Sequence, residues 1–112
     1  MDARRRLGGG LLDIVQFKAS FTLGPDNNEQ LIQATAGLTI TLPKNLPQGL
    51  SCLIEQASAD SVIFDPADGA TLVNRQDFDR TAGQYALCTL YVRTNTTGIN
   101  AEYLLGGDGD TA

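Results

Sequence analysis

The sequence predicts an all-β fold: a single antiparallel β-sandwich or barrel-like roll of about seven to eight short strands, preceded by an extended N-terminal arm. Three observations lead there. Short runs alternate apolar and polar residues, the period of a half-buried strand. Turn-forming residues separate those runs about every 8–12 positions. No stretch of about ten residues or more keeps a helical period, and the nearest to one is NEQLIQATAG.

The elements follow in order. DIVQFKASFTL alternates imperfectly and reads as the first strand. GPDNNEQ ends it, because Pro25 fixes φ while Asp26, Asn27 and Asn28 can bond their own backbone. GLTITLP sets Leu38, Ile40 and Leu42 on one face and Thr39 and Thr41 on the other. Pro43 and Pro47 bracket the next loop, and SCLIEQAS follows with Cys52 and Ile54 opposite Leu53 and Glu55. SVIFD is a short strand, Asp68-Gly69 marks a tight turn, and TLVNR is expected to pair back as a hairpin. QDFDRTAGQ reads as a polar connection. YALCTLYVRT is the longest strand, with Leu87, Thr89 and Tyr91 on one side and Cys88, Leu90 and Val92 on the other. Both sides are mostly apolar, so this strand should be central and covered twice. NTTGIN turns the chain and AEYLLGGDGD supplies the last strand. The domain organisation is therefore an arm over 1–12, a β-domain over 13–106 and a flexible Gly/Asp tail over 107–112.

Charge is divided between these parts. The arm carries Arg4, Arg5 and Arg6 against Asp2, a net of +2. The other 100 residues hold five basic and twelve acidic side chains, a net of −7. An acidic body argues against nucleic acid and against an anionic membrane surface as partners. No apolar run approaches the about 18 residues of a transmembrane helix, and LLDIVQF, broken by Asp13, is too short for the apolar region of a secretory signal.

Chemistry is sparsely provided for. The chain contains no His, which removes the Ser-His-Asp and Cys-His arrangements and the usual zinc ligand sets. The expectation is no enzyme activity, no cofactor and no metal. Asp65, Asp68, Asp77 and Asp79 crowd one region, but they fall in turns and read as solvated carboxylates. RRRLGGGLL lacks the Lys-Ser/Thr end of a phosphate loop. Asn95 opens a formal glycosylation sequon that no secretory signal supports. Cys52 and Cys88 have 35 residues between them and are expected to be buried free thiols, with a disulfide possible only if their strands are neighbours.

Two longer stretches carry a resemblance. AGLTITLPKNLPQGLSCLIEQASADSVIFDPADGATL and TAGQYALCTLYVRTNTTGINAEYLLGGDGD are similar to a small β-rich domain of tailed-phage virion proteins, found in capsid decorations, head fibres and tail fibres. The likeness covers about residues 35–108, and it departs where such domains often carry Trp before the closing Gly-Asp; Tyr103 stands near that place here. It implies a virion structural protein, often trimeric, assembled in the host cytoplasm. An arm and one β-domain without a shaft suit a capsid decoration or cement protein. The alternative is a small tail or head appendage that binds a host surface or carbohydrate.

This setting gives the arm a role. Its glycines let the chain turn freely, and its arginines can grip carboxylates through forked hydrogen bonds. Leu11 and Leu12 precede the first clear strand and need cover. Arg4, Arg5, Arg6, Leu7, Leu11 and Leu12 are thus the expected partner-binding residues, with the major capsid protein or another virion protein as partner.

Overall fold

A computed structural model describes residues 12–112. Among the described residues eleven strands form in chain order: β1 Asp13–Phe17, β2 Phe21–Thr22, β3 Gln30–Ala34, β4 Leu38–Leu42, β5 Ser51–Gln56, β6 Val62–Pro66, β7 Thr71–Val73, β8 Arg80–Thr81, β9 Leu87–Thr94, β10 Glu102–Gly107 and β11 Gly109–Asp110. They build two sheets, one of six strands in the order β1-β3-β5-β9-β10-β7 and one of five in the order β11-β8-β6-β4-β2. The fold is all-β and sandwich-like, as expected from the sequence.

The connectivity differs from that expectation. From β1 to β9 each strand lies in the opposite sheet from the one before it. Neighbours within a sheet are therefore often two strands apart in sequence, and β1-β3-β5 and β2-β4-β6 run parallel. Antiparallel pairing is confined to β5-β9, β9-β10, β6-β8 and β8-β11. The sheets are mixed rather than antiparallel. The expected first strand is two, since the chain turns between β1 and β2, where the Phe17 and Phe21 rings stack with centroids 3.9 Å apart. The weak helical candidate contains β3, whose Ile32 and Ala34 point into the core. Asp68-Gly69 does make a turn, with Gly69 at φ 91°, but no hairpin follows: β6 stays in one sheet while β7 pairs parallel with β10 in the other.

Alternation decides the core. The inner faces of β3, β5, β9 and β10 supply Ile32, Ala34, Cys52, Ile54, Cys88, Leu90, Val92, Tyr103 and Leu105. Leu38, Ile40, Leu42, Val62 and Phe64 answer from β4 and β6. Each large aliphatic or aromatic side chain fully buried here contributes on the order of 1.5–3 kcal/mol. The chain end expected as a flexible tail is partly tied: β10 runs to Gly107, and β11 pairs antiparallel with β8. Gly107, at φ 96°, makes this crossing possible, because a Cβ there would lie 2.6 Å from the Leu87 carbonyl oxygen.

Both cysteines are buried and free. Cys52 lies opposite Leu90 and Cys88 opposite Ile54, so the two are diagonal neighbours on adjacent strands. Diagonal positions sit about 7–8 Å apart, beyond the usual span of a disulfide. Burial pushes the Cys52 thiol up to about 12; burial, then the Asp108 charge, push the Cys88 thiol up to about 11. A raised folded value means stability that is complete below the ordinary value of 9.0 and is lost as pH rises toward 11–12. Urea unfolding should therefore show stability falling above about pH 9, and Cys52→Ala should flatten that fall. Native labelling should be slow and denatured labelling should count two thiols. A flat profile from pH 9 to 11 in the unsubstituted protein would contradict this account.

Candidate interaction surface

The outer face of the six-stranded sheet is built by the strand register. Residues one step out of phase with the core line up across it. One row runs Ile14, Leu31, Leu53, Thr89 and Gly106. A second runs Ser51, Tyr91, Leu104 and Val73. A third is polar at one end: Gln16 Nε2 donates to Gln33 Oε1 at 3.3 Å, Gln33 Nε2 donates to Glu55 Oε1 at 3.0 Å, and Leu87 completes it.

β9 is central in its sheet, as its composition indicates, yet only one of its faces is covered within the single chain. Cys88, Leu90 and Val92 are buried, while Leu87 is 47% exposed and Tyr91 40%. Ile14 at the sheet edge is 53% exposed. Charge on this face is nearly balanced: Arg93 pairs with Glu102, and Glu55 accepts from Gln33.

Of the six expected partner-binding residues, Arg4, Arg5, Arg6, Leu7 and Leu11 lie outside the described residues. Leu12 is placed, 56% exposed, immediately before β1. Tyr85, which the sequence pattern places in the long strand, stands instead in the turn before β9 with φ 71° and is 73% exposed. Such a φ is uncommon for a bulky residue. It is held by the Tyr85 N–H, which donates to the Gln56 carbonyl at 2.6 Å. Gly83 in the same turn was the available signal. Tyr103 is fully buried.

Other marked positions are structural. Asn95 of the sequon uses its amide internally: Nδ2 donates to the Lys44 and Leu46 carbonyls at 3.2 and 2.8 Å, and Oδ1 accepts from the Asn100 N–H at 3.0 Å. Asn95→Ala should cost about 1–2 kcal/mol, because it removes three hydrogen bonds to backbone groups, one of them part-buried; a melting temperature equal to that of the unsubstituted protein would refute the assignment. Asp65, Asp68 and Asp77 are exposed and Asp79 pairs with Arg80. Among the described residues, no three His, Cys, Asp or Glu side chains converge to hold a metal ion. An open depression of about 370 Å³ is lined by Pro25, Asn28, Pro47, Gln48, Gly49 and Leu50, with no charged side chain. No helix among the described residues is long and apolar enough to cross a membrane.

No protein-family model, curated protein or solved structure matches the chain.

Proposed function

We propose that this protein is a bacteriophage virion structural protein, a capsid decoration or cement protein that docks through its N-terminal arm and works as a homotrimer. The observation that carries the docking role is the junction of arm and domain. Leu12 and Ile14 are both more than half exposed where the chain joins the sheet edge. A basic segment of net +2 thus leads into an apolar, uncovered step on a body of net −7. The arm is the one strongly electropositive part of the sequence, and it is suited to steer the protein onto an acidic surface. The virion setting is supported by the turn-and-strand resemblance over residues 35–108.

Arm deletion provides the test. Removing residues 2–10, or changing Arg4, Arg5 and Arg6 together to Ala, should leave thermal stability nearly unchanged and lower occupancy on purified particles at least tenfold. Added salt should weaken binding of the unsubstituted protein, since exposed pairs are screened within about 8 Å at physiological ionic strength. Occupancy unchanged by the deletion would overturn the docking role.

Tyr85 favours a second reading. An exposed aromatic held in a left-handed turn is the kind of residue that stacks on a sugar ring. On that reading the protein is a tail or head appendage, and glycan-array binding lost in Tyr85→Ala would select it.

A further inference from the structure

We infer that the outer face of the six-stranded sheet is an interface between copies of this chain. The inference gives the proposed trimer its contact surface and depends on that proposal only for the number of copies.

The surface is a designed consequence of register rather than scattered exposure. Ile14, Leu31 and Leu53 align on three successive strands, and Leu87, Tyr91 and Leu104 continue the apolar surface over β9 and β10. Soluble monomers seldom leave contiguous apolar patches larger than a few hundred Å² uncovered. Five gaps of ~4.8 Å between strands and strands of three to eight residues at ~3.3 Å each give a flat footprint of roughly 400 Å² for the whole face. That is about half of the ~800 Å² per partner of a standard stable association, and the relief of the side chains standing out from the sheet adds to it.

Charge selects a second copy as the occupant. Two bodies of net −7 repel each other over most orientations. On this face the charged side chains are Glu55, Arg93 and Glu102, a net of −1, and Arg93 is already paired with Glu102. It is therefore a side on which two copies can approach with little repulsion. The row from Gln16 to Glu55 satisfies its own amides in part and can be covered without leaving both glutamines unpaired. An anionic lipid surface would gain nothing from the acidic surroundings.

The test uses the purified full chain alone. Sedimentation velocity at micromolar concentration should show an oligomer. Leu87→Lys combined with Tyr91→Lys should weaken self-association at least tenfold, with the fold checked by circular dichroism. Ile99→Lys, exposed and outside both sheets, should leave association unchanged. As a second measurement, Thr89→Cys places a thiol at the centre of the face; its labelling should slow as protein concentration rises. A monomer at about 100 μM, association unaffected by the two lysines, or labelling independent of concentration would each overturn the inference. A monomer whose Lys variants lose particle occupancy would reassign the face to the capsid. A dimer that the lysines dissociate would uphold the face and overturn the trimer. Loss of occupancy on arm deletion, with association intact, would separate the two proposals.

Discussion

Tyr103→Ala is expected to lower the unfolding free energy by about 3–5 kcal/mol, the range for removing a large buried aromatic. Tyr103 is fully buried on β10, opposite Val92 on β9 and beside Leu72 on β7. Its hydroxyl donates to the Pro43 carbonyl at 2.6 Å, and Pro43 directly follows β4 of the other sheet. One side chain thus fills the core and ties the two sheets together at one end. Burial pushes its phenol further up from its ordinary value, so the ring stays neutral across the working range of pH. Tyr103→Phe keeps the ring and removes the donor, and should cost about 1–2 kcal/mol. Against a total of roughly 5–15 kcal/mol for a domain of this kind, the alanine variant should be substantially unfolded in mild urea. Urea titration of both variants separates the parts. Equal losses for Phe and Ala would show that the hydrogen bond, rather than the ring, carries the effect.

Gln56→Leu is expected to cost about 2–4 kcal/mol, because it breaks two hydrogen bonds inside the protein. Gln56 is fully buried at the end of β5, and Thr81 on β8 is 1% exposed. The Thr81 hydroxyl donates to Gln56 Oε1 at 2.5 Å and accepts from the Val62 N–H at 2.9 Å. Gln56 Nε2 donates to the Ser58 carbonyl at 3.0 Å. This chain of bonds joins β5 in one sheet to β8 and β6 in the other, near the turn that holds Tyr85. Leucine leaves the Thr81 proton and the Ser58 carbonyl without these partners. Adding Thr81→Val removes the stranded hydroxyl but also takes the acceptor from Val62, so the double variant should recover only part of the loss. A double-mutant cycle read by urea unfolding measures the coupling. Strictly additive losses would show that the two side chains do not act as a unit.

Alternation and turn spacing reached the all-β fold but not its wiring. Leu38, Ile40 and Leu42, then Cys52 and Ile54, then Cys88, Leu90 and Val92 were assigned to shared faces from period two alone, and all are buried. Period two fixes which residues share a face; in β4 the threonines also mark the outward side, whereas both sides of β9 are largely apolar and only the structure shows that Leu87 and Tyr91 stay exposed. The arm's charge was equally plain, since three arginines and three glycines need no neighbours to be recognised. Tyr85 was not legible. Its exposure depends on the backbone sign at one residue, fixed by a bond to Gln56 far away in sequence.

By itself, the sequence determined the all-β class, which residues of each long strand share a face, the buried state expected of both cysteines and the separation of a basic arm from an acidic body. These are local properties: side-chain period, size and charge act over a few residues. Only the tertiary structure decided that β6 and β7 part into different sheets, that the weak helical candidate holds a strand, and that Gly109–Asp110 returns to pair with β8. The physical reason is that turn residues specify a change of direction at a corner without specifying which strand edge lies beyond it. Pairing depends on edges brought together by packing of the whole chain. The same pairing aligns Ile14, Leu31 and Leu53 from separate segments into one row, and so makes a surface that no single stretch of sequence contains.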